Sequence, residues 1–288
     1  MRLPPFEYLN AASLAEALSA WSAGPGAVYL AGGTDLLPQM RSGRRAPLRV
    51  IDVKHLPELA GIRDLEDGGV AIGAAVPLAD IENHPLVLGR FPLLAECSRA
   101  IGAPPLRNRA TLAGNLCNAS PAADTAVALL ALEALVVAAG PNGTRTIPIT
   151  TLFTGPGRTT LEPGELVTTV ILPASSLGTR GSYLRLSRRQ GMDLATVGVV
   201  VACRMNGGAP RHRVALAAVA PTPLRVLECE ALLDRDGRGA ADRGAAIARA
   251  ACSPITDIRG SADYRREMVG VLTRRGIAAL TIGRPLPE

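Results

Sequence analysis

The chain has 288 residues and 48% of them are apolar, enough for the cores of one domain and a second, smaller one. The net charge of +6 comes from 31 basic and 25 acidic residues, but only 3% of the residues are aromatic. A nucleic-acid-binding surface, which interleaves basic and aromatic side chains, is therefore disfavoured. The five cysteines and three histidines lack the spacing of a metal site, an iron–sulfur cluster or a nucleophile pair.

The chain also lacks the sequence signals of a membrane or secreted protein. No apolar run reaches the roughly 20 residues that span a bilayer. The N-terminal sequence MRLPPFEYLN has no apolar signal-peptide core. The sequence therefore predicts a cytoplasmic protein without a membrane span.

The first 55 residues predict a β-α-β opening. Ser13 and Glu16 form a capping-box pattern, and an apolar stripe at helical spacing follows it. The predicted elements are a helix over 13–22, a strand over 27–30, a short helix over 36–40 and a strand over 50–53.

The next 120 or so residues predict short helices between strands. Two prolines, Pro104 and Pro105, predict an extended segment that leads to a tight turn at 111–115. Ser120 is predicted to cap a long Ala/Leu-rich helix over 122–134. The remaining predictions are strands over 70–75, 135–139, 144–149 and 166–172, a short helix from Pro77, and a helix over 93–101.

The region after residue 181 has a different pattern, in which strands come first and helices follow. Strands are predicted over 183–186, 195–203 and 214–219, and helices over 224–233, 240–251 and 262–274. This order is typical of an α+β domain, here with a three-stranded antiparallel sheet covered by helices on one face.

Two turns rich in small residues, AGGTD at 31–35 and TLAGN at 111–115, suit the pyrophosphate of a dinucleotide. Such a group can be held by backbone N–H groups where small residues let the backbone come close. The Thr34 and Thr111 hydroxyls could donate to phosphate or ribityl oxygens, and Asp124 could accept from a ribityl or ribose hydroxyl. The alternative is that Gly32-Gly33 only ends a strand and that Asp124 only lies near a helix start.

Other nucleotide-binding folds are disfavoured. No GxGxxG pattern follows a strand, as a Rossmann fold requires, and no GxxxxGK[ST] pattern is present. From the two small-residue turns themselves, we predict that they come together and hold the pyrophosphate of one dinucleotide, FAD.

Four segments of the chain carry a resemblance to a known family. They are AGGTDLLPQM at 31–40, IGAPPLRNRATLAGNLCNASPAAD at 101–124, PTPLR at 221–225 and DIRGSADYRREMVGVLTRR at 257–275. Together they resemble the FAD-binding medium subunit of the molybdenum hydroxylases. This family includes the medium subunit of carbon monoxide dehydrogenase, the flavin domain of xanthine dehydrogenase and the flavoprotein subunit of 4-hydroxybenzoyl-CoA reductase.

The resemblance implies the fold and the domain boundaries. It implies an FAD-binding domain of the vanillyl-alcohol-oxidase type over 1–175, with subdomains over about 1–55 and 56–175. A small α+β domain of the carbon monoxide dehydrogenase flavoprotein type is expected over 180–286.

The resemblance also implies which residues bind FAD. Two loops match the pyrophosphate site, Asp124 matches an acceptor for a cofactor hydroxyl, Ile101-Gly102 lies near the isoalloxazine, and Val167 touches the flavin ring or adenine. The implied cofactor-binding residues are Leu30, Ala31, Gly32, Gly33, Thr34, Asp35, Leu36, Ile101, Gly102, Thr111, Ala113, Gly114, Asn115, Ser120, Asp124 and Val167.

This sequence departs from the family pattern at three places. Some relatives carry an aromatic residue where Ile101 stands and a lysine near Leu184, so flavin stacking and potential could differ here. The Cys-rich insertion of the 4-hydroxybenzoyl-CoA reductase relatives is missing between Asn115 and Asp124, so we expect no extra iron–sulfur cluster.

The resemblance implies an electron-transfer subunit of an oxidoreductase. Partner chains would carry two [2Fe-2S] clusters and a molybdenum cofactor, in a dimer of heterotrimers. FAD on this chain would pass electrons to NAD⁺, a quinone or another acceptor. Because the cofactor carries the chemistry, we expect no catalytic side chain. The alternatives are a stand-alone FAD-dependent oxidase and a flavin-free scaffold subunit.

Overall fold

Three β-sheets of three or more strands organise the part of the chain that the structure describes. The structure is a computed structural model that describes residues 2–189 and 191–280. The end of the predicted C-terminal domain, residues 281–286, lies outside the described residues. No helix in the two described ranges is long and apolar enough to cross a membrane.

The first sheet is parallel and has the order β1-β3-β2. Its first helix is capped as predicted, because the Ser13 hydroxyl accepts a hydrogen bond from the Glu16 amide. The Glu16 carboxylate reaches back to the Ala12 amide, at 2.6 Å. Strand β1 was not predicted, since its residues are mostly exposed and give no apolar alternation. The elements are β1 (Glu7–Asn10), α1 (Leu14–Ser22), β2 (Ala27–Leu30), α2 (Leu36–Arg41) and β3 (Arg49–Asp52).

The second sheet is antiparallel and has five strands, and short helices pack around it. Its order is β4-β5-β10-β6-β7, and β8 and β9 form a separate hairpin. The elements are β4 (Ile62–Asp64), β5 (Val70–Gly73), α3 (Leu78–Asn83), α4 (Pro85–Arg90), α5 (Pro92–Arg99), α6 (Pro104–Arg107), α7 (Leu112–Asn118), α8 (Asp124–Ala131), β6 (Leu135–Gly140), β7 (Gly143–Pro148), α9 (Ile149–Leu152), β8 (Phe153–Gly155), β9 (Arg158–Thr159) and β10 (Leu166–Leu172).

Three local predictions in this region were wrong. The Pro104-Pro105 pair starts the helical turn α6 instead of an extended segment, since proline fits the first turn of a helix. The predicted tight turn at 111–115 is the start of α7. Ser120 does not cap α8, which begins at Asp124. Its hydroxyl accepts from the Ala122 amide and closes a local turn, a bond that competes with helix formation.

The third sheet is antiparallel and forms the centre of the C-terminal domain. It has four strands, one more than predicted, because Leu224–Arg225 pairs with β13 instead of starting the next helix. The elements are β11 (Arg180–Leu186), β12 (Val197–Asn206), β13 (Ala209–Ala217), β14 (Leu224–Arg225), α10 (Leu227–Asp236), α11 (Ala241–Ala251) and α12 (Ala262–Ala279). The predicted α+β fold class is confirmed.

The third sheet is covered on both faces, whereas the sequence predicted one covered face. Val197, Val199 and Val201 pack toward α10–α12, and Val200 and Ala202 pack into the core of the FAD-binding domain. Every residue of β12 from Val197 to Cys203 is therefore buried. A continuous apolar run of this kind is typical of a strand that is buried on both sides.

An ion cluster joins the end of α8 to the third sheet. Oε1 of Glu133 accepts from Nη2 of Arg213 at 2.9 Å and from Nη1 of Arg225 at 3.1 Å. Nε of Arg225 also donates to Glu230, whose carboxylate is buried. Partial burial raises the pKa of Glu133, but the two arginines outweigh that effect, and its pKa lies below the ordinary 4.5.

Replacing Glu133 by glutamine is expected to make the free energy of unfolding depend less on pH in the acidic range. A carboxyl with a lowered pKa contributes stability above its unfolded pKa and loses it as the pH falls toward the folded pKa. The free energy of unfolding of Glu133→Gln should therefore lie about 1 kcal/mol below wild type at pH 7 and approach it near pH 4. Denaturant unfolding at the two pH values measures this. Glu66→Gln, at an exposed site, is the control, and an equal deficit at both pH values would contradict the prediction.

Candidate functional site

One cleft of about 620 Å³ collects the predicted site residues. Its walls come from the loop after β2, the segment from α7 to α8, strand β10, and Arg189 with residues 192–194 of the C-terminal domain. All sixteen residues predicted to bind the cofactor line it: Leu30, Ala31, Gly32, Gly33, Thr34, Asp35, Leu36, Ile101, Gly102, Thr111, Ala113, Gly114, Asn115, Ser120, Asp124 and Val167.

At Gly32, the first predicted loop touches the main chain of the segment just before the second one. A Cβ atom built on Gly32 would lie 2.0 Å from the carbonyl oxygen of Arg109 and 2.9 Å from the Cα of Ala110. Only glycine allows this approach, because any side chain would overlap the main chain of the segment before α7. Gly33 is needed for a different reason, since its φ of +72° lies in the left-handed region.

Backbone N–H groups in this cleft are free to bind an anion. Among the described residues, the amides of Gly32, Gly33, Thr34 and Asp35 donate to no other group, and the same holds for Ala113 near the start of α7. The Gly114 amide, in the second turn predicted to hold the pyrophosphate, donates instead to the Thr111 hydroxyl, which caps α7, at 3.0 Å. Free amides with small side chains form an electropositive concavity, a common binding site for phosphate oxygens.

Asp124 presents one carboxylate oxygen to the cleft. Its Oδ1 accepts hydrogen bonds from the Tyr183 hydroxyl and from Nε of Arg185, the latter at 3.0 Å. Its Oδ2 accepts none from a described residue. Burial raises the pKa of Asp124, although both hydrogen bonds act in the opposite direction. The carboxylate is thus oriented from the C-terminal domain and keeps one oxygen for a hydroxyl donor.

The side chain of Asn115 is fixed by a neighbour on α8. Its Oδ1 accepts from the Thr125 hydroxyl at 2.7 Å, and its amide nitrogen donates to no described residue. The nitrogen therefore remains available as a donor within the cleft. Asn115 and Asp124 together give this wall one donor and one acceptor.

The Ile101-Gly102 segment is held by a buried guanidinium. Nη1 of Arg107 donates to the carbonyl oxygen of Ile101 at 3.1 Å, and Nε of Arg107 lies 2.9 Å from Oε2 of Glu82. Both charged side chains are about one-tenth exposed. Gly102 follows with a φ of +57°, a conformation that favours glycine.

Comparisons with known proteins agree with this geometry. Residues 4–175 match the family model of the FAD-binding domain in molybdopterin dehydrogenase, and residues 182–280 match that of the carbon monoxide dehydrogenase flavoprotein C-terminal domain. The carbon monoxide dehydrogenase medium chain of Hydrogenophaga pseudoflava is 39% identical over 96% of this chain and 97% of its own length. A putative xanthine dehydrogenase FAD-binding subunit of Escherichia coli K12 is 35% identical over 77% of each chain.

The chain belongs to the FAD-binding medium subunits of the molybdenum hydroxylases. A solved structure of carbon monoxide dehydrogenase from Hydrogenophaga pseudoflava, in a form that lacks the Mo-pyranopterin moiety, superimposes with a TM-score of 0.91. It is 39% identical to this chain and covers 97% of it and 98% of the other chain. The fold expected from the resemblance, an FAD-binding domain followed by an α+β domain with an antiparallel sheet, is confirmed.

Three observations indicate that the cleft of this medium subunit fits FAD. Its volume lies within the range of about 300–1,000 Å³ typical of small-molecule sites. It offers a group of free amides for a diphosphate and a carboxylate oxygen without a partner for a hydroxyl. It is also lined by apolar side chains, among them Leu161, Leu166 and Val167, which suits planar rings.

Replacing Arg107 by lysine tests the support of the Ile101-Gly102 segment. Lysine keeps the positive charge beside Glu82 but lacks the planar fork that reaches two acceptors at once. We expect a loss of about 1 kcal/mol in unfolding free energy and FAD binding about fivefold weaker. Chemical denaturation and a flavin titration measure the two effects. Arg109→Lys is the control at an exposed side chain two residues away, and equal behaviour of both variants would contradict the role of Arg107.

Several residues that line the cleft were not predicted. The Tyr29 hydroxyl donates to the carbonyl of Gly164 at 3.0 Å and ties β2 to the turn before β10. The Pro163-Gly164 pair is a sequence signal for a turn, but nothing in the sequence near the turn indicates that it contacts Tyr29. Arg189 and residues 192–194 gave no signal either, because they reach the cleft only when the third sheet packs against α8. Leu184, predicted to affect the flavin, does not line the cleft but packs in the core of the C-terminal domain.

Proposed function

We propose that this medium subunit carries electrons between an iron–sulfur subunit and an external acceptor, with FAD bound in the cleft described above. The observation that carries the proposal is the contact of the Gly32 loop with the segment before α7. It places free amides, Asn115 and Asp124 around one space. FAD supplies the ability to take up electrons singly and release them as a pair.

We assign a part of the cofactor to each wall. The amides of the Gly32–Asp35 loop bind the pyrophosphate, and Oδ2 of Asp124 accepts from a ribityl or ribose hydroxyl. Ile101-Gly102 contacts the isoalloxazine, and Val167 lies against the flavin ring or adenine. The protein's own residues thus bind, orient and enclose the cofactor, and no side chain of this chain needs to transfer a proton.

We further propose that the chain works in a cytoplasmic dimer of heterotrimers, with a small subunit that binds two [2Fe-2S] clusters and a large subunit that binds molybdenum cofactor. Relatives whose names describe them as medium chains support the assignment to a complex. All five cysteines are free thiols, which suits a reducing compartment.

We propose the domain boundaries on the same basis. An FAD-binding domain would span 1–175, with subdomains over about 1–55 and 56–175, and a C-terminal domain would span 180–286. The two family matches, which end at 175 and begin at 182, support this division.

An anaerobic electron-transfer experiment tests the proposed function. The complex that co-purifies with the tagged chain is reduced with dithionite, and NAD⁺, a quinone or oxygen is then added. We expect flavin absorbance to be bleached and then restored by one acceptor, while a complex stripped of FAD keeps reducible iron–sulfur clusters but passes no electrons on. Oxidation of a small substrate by the isolated chain would instead support a stand-alone oxidase. Flavin-free material under every condition would support a scaffold.

A further inference from the structure

The segment Asp257–Arg266 carries part of the family resemblance but contributes nothing to the cleft lining. It holds an aspartate between two arginines. Nη2 of Arg265 donates to Oδ1 of Asp257, and Nη2 of Arg259 donates to Oδ2 at 2.7 Å. Arg265 lies on α12 and its side chain is only 1% exposed. A buried arginine needs a structural or functional reason, because removing a guanidinium from water is costly.

Each arginine also holds a backbone carbonyl outside its own segment. Nη1 of Arg265 donates to the carbonyl of Ala218 at 2.8 Å, and Nη1 of Arg259 donates to that of Ala195 at 3.2 Å. Ala195 and Ala218 form a buried apolar cluster with Ala122, which lies in the cleft wall. The two arginines therefore act on the two residues of the C-terminal domain that support Ala122.

Ala218 connects this cluster to the cleft directly. Its amide donates to the carbonyl of Pro121 at 2.7 Å, while its carbonyl is bound by Arg265. Ala218 has a φ of +64°, which costs an alanine about 1–2 kcal/mol. Ala218 keeps this conformation because its amide is bound to Pro121, next to the cleft, and its carbonyl is bound to Arg265.

We infer that Asp257, Arg259 and Arg265 form a brace that positions the Ser120–Asp124 wall of the cleft and thereby sets the affinity for FAD. These are positioning residues, since none of them lines the cleft. The inference rests on the proposed function, because it concerns the retention of the same cofactor. Two successive hydrogen bonds connect Arg265 to Ala218 and Ala218 to Pro121. Pro121 lies between Ser120 and Ala122, two residues that line the cleft.

The charge state of the brace supports a rigid role. Hydrogen bonds from Arg259, together with that from Arg265, hold the pKa of Asp257 well below its ordinary value. The carboxylate is therefore ionised at neutral pH and keeps both guanidinium groups oriented. A network of charge-assisted hydrogen bonds of this kind is stronger than neutral hydrogen bonds.

Arg265→Met, which removes the bond to Ala218, tests the brace. Arg266→Met is the matched control, because Arg266 is the next residue, is partly exposed and, among the described residues, pairs only with Asp263 at the surface. Each full-length variant is isolated with any bound subunits, stripped of FAD and titrated with FAD by flavin fluorescence, well below its Tm. We expect the Kd of Arg265→Met to rise about tenfold, that of Arg265→Lys to lie between wild type and Met, and that of Arg266→Met to stay within about twofold.

A merely stabilising role gives a different pattern. It would lower the Tm of the stripped and FAD-loaded forms of Arg265→Met equally and leave the Kd unchanged, which would overturn the inference. If Arg265→Met does not fold, Arg259→Met is decisive, because Arg259 is more exposed and its loss leaves Arg265 in place. A Kd about threefold above wild type supports the brace, and an unchanged Kd overturns it. If the wild-type protein binds no FAD, the proposed function is refuted. If the wild-type protein binds FAD and all variants bind it with the same Kd, only the brace is refuted.

Discussion

Gly32→Ala is expected to abolish FAD binding. The added Cβ would lie 2.0 Å from the Arg109 carbonyl oxygen, a distance that neither main chain can accept without moving. The loop after β2 must then separate from the segment before α7, and the free amides of Gly32–Asp35 move away from the opposite wall. A shift of about 1 Å in a positioned group is enough to cost two orders of magnitude in function. We expect a flavin-free protein whose unfolding free energy also falls, by about 2 kcal/mol.

The control for Gly32→Ala is Gly89→Ala. Gly89 lies in α4, has open space around its Cα and does not have a positive φ. Alanine there should bind FAD like wild type and raise helix stability slightly, by up to about 1 kcal/mol. Flavin absorbance per protein and denaturant unfolding report both quantities. Full flavin content in Gly32→Ala would show that the two loops need not be in contact.

Asp124→Asn is expected to have the second largest effect. Asparagine keeps the size of the side chain but leaves Arg185, which is 14% exposed, without its carboxylate partner. It can also place its NH₂ group toward the Tyr183 hydroxyl or the cleft, where an acceptor is needed. We expect a loss of about 3 kcal/mol in unfolding free energy and FAD binding at least about tenfold weaker.

Asp263→Asn provides the comparison for Asp124→Asn. The Asp263 side chain is 93% exposed, and its one ion pair with a described residue is to Arg266 in the same helix. This change should alter stability by less than about 0.5 kcal/mol and leave FAD binding intact. The Asp124 argument fails if both variants bind FAD with the wild-type Kd, because Oδ2 would then make no contact with the cofactor.

The site was more predictable from the sequence than the elements that form it. Gly32-Gly33 and the TLAGN segment carry the chemistry of a phosphate site in their residue types, so their convergence could be predicted. The local form of TLAGN could not, because Thr111 caps a helix through its side chain, and a Gly-Asn pair resembles a turn. The prediction that Ser120 caps α8 was also wrong, because a serine hydroxyl can either cap a helix or close a local turn.

Long-range relations explain the other differences. The sequence prediction of one covered face for the third sheet was wrong, because only the packed structure shows that α8 and the rest of the FAD-binding domain cover the second face. Arg265 gave no sequence signal, because it stands among many arginines and its partners are the carbonyl of Ala218, 47 residues away, and Asp257. Contacts of this kind depend on how sheets and helices dock, which residue types alone do not encode.

An experimental structure of the isolated complex with its bound flavin tests the central claim most directly. We expect the pyrophosphate oxygens within hydrogen-bonding distance of the Gly32–Asp35 amides and a cofactor hydroxyl at Oδ2 of Asp124. A nucleotide bound elsewhere on the chain, or a flavin in the cleft with its diphosphate away from these amides, would contradict the account.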